Sequence, residues 1–249
     1  MNFIDSHCHL QREEFTEDLP SVIERMRDNK VKALVDSGGL YDHSTVLKIC
    51  EAYSDKLFPV LGIDPFTASQ PTYNQEKEFD WLEENAPKAI AIGEIGLDRH
   101  YFKDELTWKK QEETLEKQLE LAEKLDKCVF LHTRDAEERV LEILSSYNCR
   151  RVLHCFFVPK LVEKAIDADC VISVPTLKSK DKKKTIELTP IDKLLCETDS
   201  PFLSPFQGRN EPSFVIEAFK EVSVLKKEDL SVVAETINAN ITRVLGVEL

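Results

Sequence analysis

Residues 128–154 read CVFLHTRDAEERVLEILSSYNCRRVLH, and the fold can be argued from this stretch. An apolar run, Cys128–Leu131, ends on His132. Val140, Leu141 and Leu144 follow at helical spacing, and a second short run, Arg151–Leu153, ends on His154. An apolar run without polar alternation is what a strand of a parallel sheet shows when both its faces are covered. The stretch therefore reads as strand, helix, strand, with each strand stopping at an imidazole.

The same alternation extends in both directions. Further candidate strands are Phe3–Ile4, Lys32–Asp36, Leu57–Gly62, Ala89–Gly93, Cys170–Val174 and Lys193–Cys196. Between them, Val22, Ile23 and Met26 share a helical face, as do Leu115, Leu119, Ala122 and Leu125, and Leu161, Val162, Ala165 and Ile166. Residues 212–245 read as two or three more helices. Eight strands alternating with helices over 249 residues are what a (β/α)8 TIM barrel requires. An open doubly wound sheet is the rival, but no GxGxxG follows the first strand and the chain has only seven glycines. No repeat, low-complexity tract or linker divides the chain, so residues 1–249 are expected to form one domain.

Composition removes several classes of function. Hydrophobic residues make up 42% and charged residues 32%, which supplies a core and argues against disorder. The apolar runs are too short to span a bilayer, and the N-terminus lacks a basic segment followed by a long apolar one. A net charge of −13 excludes the global positive field of a non-specific nucleic-acid binder. A polyanion would have to be attracted locally, by a basic loop or by metal ions. Seven cysteines with no CxxC pair make a disulfide framework improbable, so a reducing cytoplasm is expected and the cysteines read as small core residues.

The histidines carry the chemistry. His7 and His9 follow the first strand at i, i+2 spacing, which puts both imidazoles on one side. Glu94 ends the fourth strand, His132 the fifth, His154 the sixth and Asp199 the eighth. All six therefore gather at the C-terminal rim, where barrels carry their active sites. Imidazoles and carboxylates without thiolates suit Zn²⁺, Mn²⁺, Fe²⁺ or Co²⁺, with Mg²⁺ more at home among oxygens. Six donors exceed the need of one tetrahedral zinc with an open position, whereas two metals sharing a bridging carboxylate use them all. Such a pair activates water and stabilises the charge of a phosphoryl or acyl transition state.

These strings resemble the TatD family of metal-dependent deoxyribonucleases, within the amidohydrolase-like superfamily. The resemblance rests on Ile4-Asp5-Ser6-His7-Cys8-His9, on Gly93-Glu94-Ile95-Gly96-Leu97-Asp98 and on Leu131-His132-Thr133-Arg134-Asp135-Ala136. It continues in His154-Cys155-Phe156, in Glu197-Thr198-Asp199-Ser200-Pro201-Phe202-Leu203 and in Gly208-Arg209-Asn210-Glu211-Pro212. It implies two divalent metals and hydrolysis of DNA phosphodiesters, often as a 3′-to-5′ exonuclease on single strands. By position it implies one metal on His7, His9 and Asp199, another on His132 and His154, and Glu94 bridging them. Asp199 would also orient and deprotonate the attacking water.

Three positions depart from that pattern. Asp64 stands in Gly62-Ile63-Asp64-Pro65 where the family usually has His, and a carboxylate there would repel phosphate. Phe156-Phe157-Val158 is bulkier than the usual small residues, and Arg99 follows Asp98 in place of an aromatic. The donor set is intact, so these departures bear on the substrate. The alternative reading is an amidohydrolase-like ester or acyl hydrolase acting on a nucleotide or an aminoacyl-tRNA type of substrate.

Rim cations complete the expectations. Arg134 and Arg209 can grip phosphate in a bidentate way or form salt bridges with rim carboxylates. Lys182, Lys183 and Lys184 belong to a lysine-rich segment after the seventh strand, which either steers a DNA backbone or starts a solvated helix. Glu197 reads as a partner of a ligand rather than a ligand. Trp81, Trp108 and the pair Tyr101-Phe102 can stack bases or simply pack.

Overall fold

The computed structural model describes residues 1–38 and 43–249. Its strands are β1 (Phe3–Cys8), β2 (Val31–Asp36), β3 (Leu57–Leu61), β4 (Ala91–Asp98), β5 (Val129–Arg134), β6 (Arg151–Leu153), β7 (Cys170–Val174) and β8 (Leu194–Cys196). They pair in parallel in sequence order, β1 to β8. A bridge between Cys8 and Ser200 closes the ring, supported by His9 N–H donating to Ser200 O at 2.8 Å and Asp199 N–H to His7 O at 3.0 Å. The protein is a (β/α)8 TIM barrel.

Helices α1 (Leu19–Asp28), α2 (His43–Ala52), α3 (Pro65–Ala68), α4 (Gln75–Asn85), α5 (Glu105–Lys124), α6 (Glu137–Leu144), α7 (Val162–Asp167), α8 (Lys180–Leu188), α9 (Val215–Lys226) and α10 (Leu230–Leu245) alternate with or follow the strands. Their apolar faces supply the burial. Val22, Ile23 and Met26 of α1 and Leu115, Leu119 and Ala122 of α5 are almost fully out of water. Each large side chain so buried contributes about 1.5–3 kcal/mol.

Helix α5 also buries polar residues on that face, because it fastens loops as well as filling space. Gln118 accepts a hydrogen bond from Ile63 N–H at 2.7 Å and donates to Ile63 O at 3.0 Å. Gln111 accepts from Asp98 N–H at 3.0 Å. These amides satisfy backbone groups at and just beyond the strand ends, which would otherwise be buried without partners.

Three strands run past the apolar stretches that announce them. β1 continues to Cys8, β4 to Asp98 and β5 to Arg134, so polar rim residues stay within the ladder. Two of these strands are bulged. Between Asp5 and Cys8 three residues of β1 advance against two of β2, and between Ile92 and Ile95 three residues of β4 advance against two of β5. His7 and Glu94 fall inside these irregular segments. A bulge re-aims a side chain relative to its neighbours.

Candidate metal centre

The six rim donors converge. His7 Nε2 and His9 Nε2 are 3.1 Å apart, and the Asp199 Oδ1 lies 3.4 Å from His9 Nε2 and 3.6 Å from His7 Nε2. The Glu94 carboxylate stands in the middle. Its Oε1 is 2.6 Å from His132 Nδ1 and 3.3 Å from His154 Nε2, and its Oε2 is 3.7 Å from His7 Nε2. The His7 and His154 rings stack with centroids 4.0 Å apart. Donor triplets close enough to hold an ion form on each side of Glu94: His7, His9 and Glu94 on one, Glu94, His132 and His154 on the other. His7, His154 and Asp199 form a third.

Local structure explains the convergence. Asp199 sits three residues beyond β8 with φ of 55°, a left-handed conformation unusual for a residue with a side chain. Asp5, buried on β1, accepts from Thr198 N–H at 2.9 Å and Thr198 Oγ1–H at 2.6 Å and so fastens the β8 end to β1. Gly96 has φ of 141°, and a Cβ there would lie 2.0 Å from the His132 carbonyl oxygen. Only glycine lets β4 and β5 approach closely enough to bring Glu94 and His132 together.

The nitrogen that each imidazole turns away from the centre faces a second group, through a hydrogen bond at His132 and His9 and through a longer contact with a carboxylate at His154 and His7. His132 Nε2–H donates to Asp98 Oδ2 at 2.9 Å. His9 Nδ1–H donates to the Asp36 carbonyl at 3.0 Å. His154 Nδ1 lies 3.3 Å from Glu197 Oε1, which also accepts from Cys155 N–H at 2.7 Å. His7 Nδ1 faces Asp36 Oδ2 at 3.7 Å. Partners of this kind fix the tautomer of a metal-binding imidazole and raise its basicity.

Sequence reasoning misses Asp36 and Asp98. Asp36 ends an apolar strand, and its carboxylate Oδ1 accepts from Glu94 N–H at 2.6 Å and Gly38 N–H at 3.0 Å. The signal that could have found it is positional: a carboxylate at a strand's C-terminal end, like Glu94 and Asp199.

The electrostatics favour a bound cation. Burial works against charged imidazoles at His9 and His132, yet the carboxylates outweigh it and lift both to about 9. Asp199, Glu94 and Asp36 act on His9, and Asp98 and Glu94 on His132. Burial also opposes the Glu94 carboxylate, but His154 and His132 hold it well below its ordinary range. Four imidazoles that each direct one ring nitrogen at a cluster of carboxylate oxygens form a donor set that divalent transition ions match. His7, buried and crowded by His154 and His9, is pushed well below its usual value, and a neutral imidazole is the form that ligates.

The remaining sequence expectations divide. Arg134 is at the rim, with its guanidinium 4.7 Å above the Tyr101 ring and Nη1–H donating to Tyr101 Oη at 3.2 Å. Lys183 and Lys184 are exposed on the first turns of α8, and Lys184 pairs with Glu187 at 3.4 Å. Lys182 is corrected as a substrate-binding residue. It is fully buried, donates to Pro175 O at 3.0 Å and pairs with Glu221, because the helical turn points it inward. Arg209 is corrected likewise. It forms a two-point salt bridge with Asp18 at 2.7 and 2.8 Å and lies over the Phe15 ring. Trp81 stacks on His43 and Trp108 lies under Arg99, so neither ring faces the centre.

The departures also find places. Arg99 pairs with Glu112 at 2.9 Å. Asp64 caps α3, accepting from Thr67 N–H at 2.6 Å, and burial followed by the nearby Glu94 pushes it up to about 7.

A closed barrel with a histidine and carboxylate cluster at its C-terminal rim defines a metal-dependent hydrolase. Comparison with known proteins supplies the family. Residues 4–246 match the family model described as TatD related DNase, and the chain belongs to that family. It is 31% identical to the uncharacterized metal-dependent hydrolase YabD of Bacillus subtilis, over 98% of each chain. It is 28% identical to human deoxyribonuclease TATDN3, over 96% of this chain and 93% of that one. The crystal structure of the TatD homolog YJJV from Escherichia coli superposes with a TM-score of 0.88 at 27% identity, covering 98% of both chains.

Proposed function

We propose that residues 1–249 act as one hydrolase domain that cleaves DNA phosphodiester bonds with two divalent ions, removing nucleotides from the 3′ end of single strands. The observation that carries this reading is the central position of Glu94, whose two oxygens face different sets of imidazoles. His7, His9 and Asp199 would hold one ion, His132 and His154 the other, with Glu94 shared. The ions would supply acidification of water and neutralisation of phosphoryl charge.

The chain's own groups do the rest. Asp199 accepts the proton of the attacking water, held in position by the backbone bond from its N–H to His7 O. Asp98, Glu197 and Asp36 keep the imidazoles oriented. Arg134, which has no carboxylate within 4.0 Å among the described residues, is available to a phosphate, and Lys183 and Lys184 are exposed cations on α8. Among the described residues no helix is long and apolar enough to cross a membrane. All seven cysteines are free thiols, which accords with a cytoplasmic location.

The test uses single-stranded oligonucleotides labelled at either end, incubated with Mn²⁺, Mg²⁺, Zn²⁺, Co²⁺ or chelator. Metal-dependent release of mononucleotides from the 3′ end is expected. Turnover of carboxyl-ester substrates without any cleavage of DNA would instead favour the acyl-hydrolase alternative.

A further inference from the structure

A pair of aromatic rings on one side of the centre and a single ring on the other each carry a guanidinium. On the His132 side, the Phe66 ring lies 6.3 Å from the His132 ring and 5.4 Å from Tyr101, and Arg134 lies 4.7 Å above Tyr101. On the His9 side, the Phe202 ring lies 6.3 Å from the His9 ring, with Arg12 5.1 Å above it. These rings are exposed to water: Phe66 by 38%, Tyr101 by 56% and Phe202 by 44%. Rings left open beside a polar centre are poorly used as core, and a net charge of −13 makes rim cations here stand out. Arg12 is only loosely held, 3.5 Å from exposed Glu14.

A nucleotide joins a flat base to an anionic phosphate, and an aromatic ring next to a guanidinium matches both parts. From this pairing on both sides of the metal ligands we infer that the site carries two base-stacking subsites, one at Phe202 with Arg12 and one at Tyr101 with Arg134. A strand then lies across the centre with a base held on each side of the reacting phosphate. In a duplex both faces of each internal base are covered by neighbours, so such a bracket selects strands whose bases are free to leave the stack. The inference rests on the DNA-hydrolase reading and adds to it the reason for a single-strand preference.

The test compares binding of short oligothymidylates with binding of the same backbone lacking the base at one position, by fluorescence anisotropy with the metal-loaded protein in Ca²⁺ to slow cleavage. The wild-type protein should lose affinity when the base that meets Phe202 or Tyr101 is removed. In Phe202→Ala and Tyr101→Ala the intact strand should bind about 5- to 100-fold more weakly, and removal of that base should then have little further effect. Phe202→Trp should restore the preference, which separates stacking from a folding defect. If both alanine variants keep the full base dependence, the two subsites do not exist, even though the protein cleaves DNA. If the wild-type protein neither binds nor cleaves any DNA strand, the DNA-hydrolase reading falls and takes the bracket with it.

Discussion

His132 Nε2 donates to the Asp98 carboxylate at 2.9 Å, which leaves His132 Nδ1 facing Glu94 at 2.6 Å. One hydrogen bond thus decides which imidazole nitrogen joins the centre. Asp98 is in turn fixed, its Oδ1 accepting from His100 N–H at 2.9 Å and Tyr101 N–H at 2.7 Å. Asp98→Ala should therefore weaken the ion on the His132 and His154 side by roughly 10- to 100-fold and leave the other side much closer to wild type. Competitive titration with a chromophoric chelator measures both affinities, and equal affinities in wild type and variant would refute the positioning role.

Metal stoichiometry is the direct test of the shared Glu94. Two divalent ions per chain are expected at saturation, measured by elemental analysis after desalting and by anomalous diffraction. His132→Ala should retain about one. A saturated wild-type protein with a single ion would contradict the two-metal reading.

Replacing Asp199 with Asn keeps the side chain's shape and removes its basicity and charge. Turnover on DNA should fall by roughly 10²–10⁴, the usual contribution of a positioned general base. Near-normal turnover would assign proton transfer to another group.

Lys182 and its exposed neighbours should behave differently. Lys182→Ala leaves Glu221 without its partner and opens space beside Pro175, and should cost about 2–4 kcal/mol in urea unfolding. Glu221 is partly exposed, which keeps the cost toward the lower end for a buried pair. Lys183→Gln with Lys184→Gln should leave stability nearly unchanged. For every lysine that binds a phosphate, its replacement should flatten the slope of log DNA affinity against log salt by about 0.7. An unaltered slope would make this helix start a solvated surface only.

His43 gives stability a pH dependence. Its Nε2–H donates to Gly62 O at 2.7 Å and its ring stacks on Trp81, and burial lowers it from 6.5 to about 4. Between these values the unfolded chain binds the extra proton. The contribution is thus fully present above about pH 6.5, declines as pH falls, and is lost below about 4, amounting to roughly 3 kcal/mol. His43→Gln should flatten this part of the stability profile in denaturant titrations from pH 7 to 4. An unchanged profile would mean that the folded imidazole binds its proton as readily as the unfolded one.

The strand-ending residues His132, His154 and Asp199 were legible in the sequence because a parallel barrel puts every strand's C-terminal end on one rim, so local pattern implies shared location. The i, i+2 pair His7 and His9 was legible for the same reason. The alternation of apolar runs with helical periodicity determined the barrel itself, since burial on both faces writes itself into adjacent residues. Tertiary structure alone decided the rest. Asp36 and Asp98 meet the imidazoles across strands, and no spacing along the chain records which nitrogen each imidazole must turn outward. Lys182 points into the protein and Arg209 turns to Asp18, because a cation takes the carboxylate that packing brings within reach, and that partner lies 39 or 191 residues away.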